Sequence, residues 1–333
     1  MRAVLAIFVV LALAAAGAVG WVELQSRSAP GTSTELVAFE VPRGASGRRI
    51  GELLEKEGLS PGSLPWRWLL LRRGGLAANA GVHELSASMS LPEIAAELEK
   101  PTRAAEVAFV VVEGFRLADT DAALVAAGLI TPGSYIAAAK QTSRFTAPFP
   151  LPTDSLEGYL YPETYRVGRE KADVYALIQQ QLNLFAERFY TPYRDAIESS
   201  GRTLHELVVM ASMLEREEPL PEQRPLVAGI LWKRIDRGVP LGVDATSRYE
   251  LAQWNDRAAF LKRLRDPNDL WNSRHRKGLP PGAIGAPTVA SLTAALAPVK
   301  SEYWYYLHDA DRKLHPSRNG EEHEALRRRY NVY

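Results

Sequence analysis

An uninterrupted apolar run at the start of the chain sets the strongest limit on how it can fold. Residues 3–22 contain no charged side chain and consist mainly of Ala, Val, Leu, Ile and Phe. At about 1.5 Å rise per residue, a helix of this length is just long enough to span a hydrocarbon core of about 30 Å. Trp21 stands at the far end, where an indole ring suits the lipid–water interface. The run predicts an N-terminal membrane anchor, residues 1–22.

The charges that flank this run predict its orientation. Arg2 and the amino terminus precede it, so the positive-inside rule places the short N-terminus in the cytoplasm and the rest of the chain outside. The alternative is a cleaved signal peptide, because residues 14–16 and 16–18 both resemble small-residue cleavage sites. The apolar run continues past both sites, which favours a retained, single-pass anchor.

The composition excludes several classes of protein. Lys and Arg total 40 against 39 Asp and Glu, so there is no overall basic field for nucleic acid and no nucleic-acid partner is expected. The absence of cysteine excludes disulfides, thiolate nucleophiles and Cys-based zinc sites. The six histidines have no convincing ligand spacing, and nucleotide-binding and serine-hydrolase motifs are absent. We therefore expect no metal and no cofactor.

The remainder of the 333 residues is long enough for two domains. A polar stretch, residues 23–35, predicts a flexible tether. A small α+β module is expected over residues 36–103, with strands at 36–41 and 82–86 and helices at 46–57 and 91–100. Residues 104–333 predict a larger mixed α+β domain. Its expected elements are strands at 107–112 and 303–308 and helices at 117–127, 173–190, 203–218 and 222–237.

The helix expected at 203–218 carries a carboxylate on its apolar side. At about 100° per residue, Glu215 lies within about 20° of Val208 around the helix axis, on the stripe that faces the core. A buried carboxyl group tends to keep its proton, which suits a general acid. A structural acid paired with a buried arginine is the alternative. Glu217 and Glu218 fall off the stripe and are expected to be solvated.

Three further segments combine turn residues with polar or aromatic side chains. Residues 156–165 hold three tyrosines and two glutamates in a Gly–Pro frame, and carbohydrate sites use aromatic faces beside hydrogen-bonding groups. A rigid, tyrosine-packed surface turn would have the same composition. Residues 244–249 follow Pro240 and Gly242, and residues 278–284 contain a double proline flanked by glycines. Stiff loops of this kind often form the wall of a cleft, although many only connect elements.

Taken together, these blocks resemble the YceG-like endolytic murein transglycosylase family. Leu156–Tyr165 is similar to the family's L-E-G-Y-L-F-P-D-T-Y, and residues 211–217 to its A-S-I-V-E-K-E. Residues 244–249 are similar to D-P-T-V-x-Y, and residues 278–284 read G-L-P-P-G-A-I as in the family. The resemblance covers nearly the whole chain and implies a membrane anchor, a LysM-like module and a catalytic domain. It departs from the family pattern at Gly242, Val243, Ala245, Arg274 and Ala297.

The resemblance also implies an activity and its residues. The expected reaction is non-hydrolytic cleavage of the β-1,4 bond between N-acetylmuramic acid and N-acetylglucosamine in nascent peptidoglycan strands, leaving 1,6-anhydro ends. Glu215 is the implied catalytic acid and base. The residues expected to bind substrate or orient the acid are Glu157, Tyr159, Glu163, Tyr165, Asp244, Thr246, Tyr249 and Asn272.

The implied setting is the inner membrane, with the catalytic domain in the periplasm and peptidoglycan synthases as possible partners. Two other functions remain open. One is a non-catalytic peptidoglycan-binding or scaffold protein of the cell-wall synthesis machinery. The other is a true hydrolase that uses Glu215 with Glu157 or Asp244.

Overall fold

The computed structural model describes residues 2–102, 106–169 and 171–332, with side chains in the first helix from residue 9 onward. Contacts divide the chain into two compact units, Met1–Glu106 and Val107–Tyr333. The boundary expected between residues 103 and 104 lies outside the described residues. Helices and small two-stranded sheets occur in both units, so the prediction of a mixed α+β protein is confirmed.

The first helix, α1 (Arg2–Arg27), contains the apolar run. Its segment Val9–Arg27 is long and apolar enough to cross a membrane, with a mean hydropathy of 1.5, and is the only such helix in the described part of the chain. The helix continues five residues past the expected end at residue 22. The i,i+4 ion pair between Glu23 and Arg27 supports that extension.

The rest of the first unit has the order β1–α2–α3–β2–α4. The strands β1 (Val37–Val41) and β2 (Gly81–Leu85) pair antiparallel, with Val37 opposite Leu85. Both predicted helices form, and each begins at a serine N-cap. The helix between them was not predicted, because its three consecutive leucines obscure a helical period. The three helices are α2 (Gly47–Lys56), α3 (Ser63–Arg73) and α4 (Leu91–Leu98).

The second unit is mainly helical with two small sheets, β3 pairing with β4 and β5 with β6. Its elements up to the central helix are β3 (Glu106–Val110), α5 (Leu117–Ala126), α6 (Ser134–Ala139), β4 (Thr164–Gly168), α7 (Val174–Phe185), α8 (Thr191–Ser199) and α9 (Leu204–Glu217). The later elements are α10 (Arg224–Asp236), α11 (Asp244–Arg248), α12 (Arg257–Leu264), α13 (Val289–Leu296), β5 (Tyr305–His308), β6 (Leu314–Ser317) and α14 (Gly320–Tyr330). Single 3-10 turns lie at Thr142–Arg144 and Pro221–Gln223.

The helix expected at 173–190 runs further than predicted. Asp173 caps α7, and a π-helical segment, Ala186–Tyr190, joins α7 directly to α8. The predicted helix ended at residue 190, just before Pro192. Pro192 stands instead in the first turn of α8, where a missing N–H costs little.

The core of the second unit is built around α9. Eight consecutive residues of this helix, 207–214, are buried, so in that stretch it has no solvated side. It packs against α13 and α10, and the N-terminus of α13 lies beside the last turn of α9. This arrangement brings the glutamates at the end of α9 among loops from several parts of the unit.

Candidate active site

Glu215 lies where the sequence placed it, on the inward side of α9, but it is ion-paired. Its side chain is 4% exposed, and Nη2 of Arg224 is 3.0 Å from its Oε1. The Thr288 amide and hydroxyl both donate to Oε2, at 2.8 and 2.7 Å. The Arg224 guanidinium and the Thr288 amide can only donate, whereas the Thr288 hydroxyl can donate or accept. Pairing with a buried arginine is the alternative that the sequence left open, and the catalytic role of Glu215 stays a prediction.

These contacts give Glu215 a structural role. Arg224 begins α10 and also donates to the Glu218 carbonyl at 2.9 Å, while Thr288 is the N-cap of α13. The carboxylate therefore joins the ends of three helices.

Glu217 occupies a different environment two residues further on. Its side chain is half-buried at the wall of a cavity of about 930 Å³, here called the Glu217 cavity. Burial raises the pKa of Glu217 from 4.5 to about 7, and the nearby charge of Asp244 adds to the rise. The Tyr306 hydroxyl interacts with the carboxyl group and opposes part of it. A carboxyl group with this pKa can both donate and accept a proton near neutral pH.

The expectation that Glu217 and Glu218 are solvated is wrong. The Glu218 side chain is fully buried, with His308 Nε2 2.9 Å from one oxygen and the Leu220 amide 2.9 Å from the other. That hydrogen bond raises the pKa of His308. Periodicity failed here because α9 is enclosed on all sides and ends at Glu217, so a helical wheel no longer separates core from solvent.

Asp244 shares the Glu217 cavity. It begins α11 and accepts from Nη2 of Arg274 at 2.7 Å, with both side chains partly exposed. Gly242, in the left-handed region at φ 68°, lines the same cavity. Two of the positions that depart from the family pattern, Gly242 and Arg274, thus stand beside Glu217, whereas Val243 and Ala245 are buried in the core.

Two of the expected substrate-binding residues are inaccessible to a ligand. Thr246 and Asn272 are both fully buried. The Thr246 hydroxyl donates to the Val243 carbonyl at 2.8 Å, and the Asn272 amide donates to the carbonyls of residues 263, 264 and 266. Their polar groups hold the loops around Asp244 and Arg274, and their expected part in binding substrate or orienting the acid stays a prediction.

A second cavity, of about 600 Å³, contains the other expected group. This Glu157 cavity is lined by Glu157, Tyr159 and Tyr249, together with Trp271 and the double-proline loop at Pro281. Glu157 is 7% exposed, and burial raises its pKa to about 7. Its carboxylate accepts from the Leu117 amide at 3.0 Å, at the start of α5, and from the Tyr249 hydroxyl at 3.0 Å. Those bonds make Glu157 a helix-capping group on the cavity wall.

The remaining two expected residues line neither cavity. Glu163 is exposed, with its carboxylate bound to the amide of Thr164 at 2.9 Å. Tyr165 is buried and donates to the Tyr161 carbonyl at 2.7 Å. Within the Leu156–Tyr165 block, only the first half therefore reaches a cavity.

Several residues of the Glu217 cavity were not found from the sequence. A strand was predicted at 303–308 and forms at Tyr305–His308, but no local pattern shows that its Tyr306 and His308 face the end of α9. The cavity is also rich in arginine, and these are Arg234, Arg248, Arg257, Arg274 and Arg327. Among the described residues, no three His, Asp or Glu side chains are grouped to hold a metal ion.

The fold and the site together define an α+β protein with a half-buried acid in a wide, arginine-lined cleft. The YceG-like family model matches residues 39–329, and the chain belongs to that family. Two proteins named endolytic murein transglycosylase are similar. The protein from Streptococcus pneumoniae D39 is 26% identical over 88% of this chain and 58% of its own length. The protein from Bacillus subtilis 168 is 24% identical over 90% of this chain and 86% of its own length. This chain thus spans little more than half of the pneumococcal relative.

A solved structure shares the fold. The crystal structure of a YceG-like protein from Listeria monocytogenes aligns with a TM-score of 0.58 at 24% sequence identity. The alignment covers 88% of this chain and all of that one.

Proposed function

We propose that the protein is an endolytic peptidoglycan transglycosylase that cuts glycan strands without water. The names of the similar proteins and the membership of the YceG-like family support this activity. The observation that carries it is Glu217, a half-buried carboxyl group with a pKa of about 7 on the wall of a cavity of about 930 Å³. The bond cleaved is the β-1,4 linkage between N-acetylmuramic acid and N-acetylglucosamine.

The proposed reaction needs one carboxyl group in two protonation states. Protonated Glu217 gives its proton to the glycosidic oxygen, and the C1–O bond breaks with its electron pair moving to that oxygen. Positive charge develops on the muramic acid ring, so the transition state resembles an oxocarbenium ion. Ionised Glu217 then takes the proton of the C6 hydroxyl as O6 bonds to C1. The product is a 1,6-anhydro end, and Glu217 is again protonated.

Glu217 replaces Glu215 as our candidate for the proton transfers. A general acid must reach its substrate, and Glu217 opens on the cavity while Glu215 is enclosed by Arg224 and Thr288. Asp244 and Tyr306 flank Glu217 and would hold its pKa near neutrality. The buried pair of Glu218 and His308 would fix the chain immediately after it.

The charge of the cavity fits an acidic glycopeptide. Five arginines line it, and the stem peptides of peptidoglycan carry carboxylates that guanidinium groups bind well. The Glu157 cavity, lined by the half-buried rings of Tyr249 and Trp271 with their centroids 4.2 Å apart, would bind sugar or peptide groups further along the strand. We place Glu157, Tyr159 and Tyr249 there.

The setting we propose is the inner membrane. The apolar helix α1 would cross it once, with the rest of the first unit and the second unit on the periplasmic side, where strands are synthesised. The β1–α2–α3–β2 order of the first unit supports a LysM-like module that would bind glycan and raise its local concentration. Peptidoglycan synthases are the partners expected at this location.

Product analysis tests the proposal. Full-length protein is incubated with purified, uncrosslinked glycan strands, and the fragments are identified by mass spectrometry. We expect internal cuts with 1,6-anhydro ends, and loss of all cleavage in Glu217→Gln with an unchanged circular dichroism spectrum. Absence of cutting by the wild-type protein would indicate a scaffold or binding protein instead.

Hydrolysis is the second candidate, and Asp244 is the observation that favours it. This carboxylate lies in the same cavity as Glu217 and could activate a water molecule as general base. Its Oδ1 is occupied by the guanidinium of Arg274, which is why we prefer the transglycosylase. Reducing ends in place of anhydro ends would establish the hydrolase.

A further inference from the structure

Within the first unit, α3 is fastened to α1 at the point where the apolar run ends. The Trp68 indole donates to Oε2 of Glu23 at 2.6 Å. Arg72 lies 4.0 Å from the same oxygen. Glu23 directly follows the last apolar residue of the run, Val22. The helix α3 is therefore held beside the final turns of α1.

An apolar groove of about 410 Å³ lies between the two helices. The α1 side is formed by Ala18, Val19 and Val22. The α3 side is formed by Leu64, Arg67, Trp68 and Leu71. Arg67 is the one charged residue of this lining.

The α3 side of the groove is unusually apolar for a surface in contact with water. Leu64 is 61% exposed and Leu71 is 74% exposed, and they are two helical turns apart with Trp68 between them. Arg72 and Arg73 follow directly in the last turn. A helix with exposed leucines, an amphipathic tryptophan and arginines is typical of one that lies in a membrane interface.

The depth of the groove identifies what fills it. Residues 18–22 are the last part of the apolar run and span about 6 Å along the helix axis. In a membrane-spanning α1 this part lies where acyl chains meet headgroups. An acyl chain is the only apolar group present in quantity at that depth. Arg67 is exposed and has no ion-pair partner among the described residues, so its guanidinium is available for a phosphate.

We propose that the groove between α1 and α3 binds an acyl chain of an anionic membrane phospholipid, with Arg67 on its phosphate. The site would hold the first unit against the membrane surface. This inference rests on the membrane-spanning placement of α1 proposed above and does not depend on the reaction.

Spin labels test the burial of the groove in lipid, since the chain has no native cysteine. Leu64→Cys and Leu71→Cys are labelled in the full chain in phosphatidylglycerol nanodiscs, with Val10→Cys in α1 and Lys56→Cys on α2 as references. Val10 is 63% exposed in the protein alone, and the Lys56 side chain is 78% exposed. We expect the two groove labels to collide with oxygen, as at Val10, and to be protected from a water-soluble nickel chelate, unlike Lys56.

The reference labels at Val10 and Lys56 distinguish failure of the groove proposal from failure of the membrane anchor. Groove labels that behave like Lys56 while Val10 is in lipid would overturn the groove proposal alone. A Val10 label in water would overturn the membrane anchor and the groove together.

Native mass spectrometry tests the phosphate contact. The full chain is released from detergent with equal phosphatidylglycerol and phosphatidylcholine, and the bound lipids are counted. We expect a preference for phosphatidylglycerol that falls about fivefold in Arg67→Gln, as one arginine near a membrane surface contributes about 1 kcal/mol. Arg48→Gln on α2, whose side chain is 77% exposed, is the matched control and should keep the preference. An equal loss in both variants, or none in Arg67→Gln, would contradict the assignment.

Discussion

Glu215 and Arg224 form a buried ion pair, with Nη2 of Arg224 3.0 Å from Oε1 of Glu215 and side-chain exposures of 6% and 4%. Glu217 stands two residues later, which turns it about 200° around the helix axis. The two glutamates therefore meet opposite surroundings. Glu215 meets a guanidinium and two Thr288 donors, whereas Glu217 meets Asp244 and the Tyr306 phenol.

Replacement of Glu215 should destabilise the fold. Glu215→Gln leaves the Arg224 guanidinium buried without a counter-charge, and such a loss costs about 3–5 kcal/mol. Urea unfolding in detergent, followed by circular dichroism, measures the change. Glu215→Met combined with Arg224→Met should recover most of the stability, because no charge is then left unpaired.

Glu217→Gln is the companion measurement, since it should keep the wild-type unfolding free energy while removing activity. If Glu215→Gln instead unfolds like the wild type and is inactive, Glu215 is the acid after all and our assignment of Glu217 fails.

Glu157 should make stability depend on pH. Its pKa is about 7 in the folded protein against an ordinary 4.5, so the folded state binds the proton more tightly. The resulting stabilisation is complete below pH 4.5 and is lost as the pH rises through about 7. Glu157→Gln has no proton to lose. Between pH 4 and pH 8, the wild type should therefore lose about 3 kcal/mol of unfolding free energy relative to the Glu157→Gln variant.

Unfolding curves at several pH values measure this difference. Glu163→Gln, on an exposed carboxylate of the same sequence block, controls for loss of a negative charge. A wild type and a Glu157→Gln variant with parallel stability profiles would show that Glu157 is not desolvated.

Local patterns predicted the elements that local forces determine. The apolar run gave α1, and serine or threonine caps followed by amphipathic spacing gave α2, α4 and α9, with Thr203 and Glu206 forming a capping box at α9. The inward position of Glu215 was found in the same way, from its 20° offset to Val208 on a buried stripe.

Tertiary contacts decided what the patterns missed. The partners of the inward Glu215 are Arg224 and Thr288, which lie 9 and 73 residues away along the chain. Glu217 was expected in solvent because a wheel drawn from one helix cannot include Tyr306 on a distant strand. Thr246 belongs to a matched sequence block and Asn272 was implied by the resemblance, but their burial follows from loop packing that spacing does not encode.

Gly158, in the first tyrosine-rich block, should not tolerate a side chain. A Cβ there would lie 2.4 Å from Cβ of Ala283 and 2.8 Å from Cγ1 of Val208, at a left-handed φ of 84°. Gly158→Ala must therefore push apart the double-proline loop and α9. Gly201→Ala is the matched control, since Gly201 has a φ of 72° but nothing within 4 Å of its Cβ.

The two alanine variants separate backbone strain from steric overlap. Gly201→Ala should cost about 1 kcal/mol from the left-handed backbone alone. Gly158→Ala should cost about 2 kcal/mol or more beyond that, because overpacking a core typically costs 1–3 kcal/mol. Urea unfolding gives both values. Equal losses in the two variants would mean that the loop moves away freely.

The pH dependence of cleavage should follow the pKa of Glu217. The first step requires its proton, so kcat/KM should fall as the pH rises above about 7. Tyr306→Phe removes an interaction that lowers this pKa. The fall of kcat/KM at alkaline pH, here called the alkaline limb, should then move to higher pH. Asp244→Asn removes a charge that raises it, and the limb should move to lower pH.

The opposite signs make this pair of variants decisive. A loss of substrate binding or a general weakening of the fold lowers the rate at every pH, whereas only a change at the titrating acid moves the limb. The measurement is the rate of anhydro-product release between pH 5 and pH 9 under conditions of low substrate. Limbs that coincide with the wild type in both variants would place the titrating acid elsewhere, with Glu157 as the next carboxyl group to replace, because burial also raises its pKa to about 7.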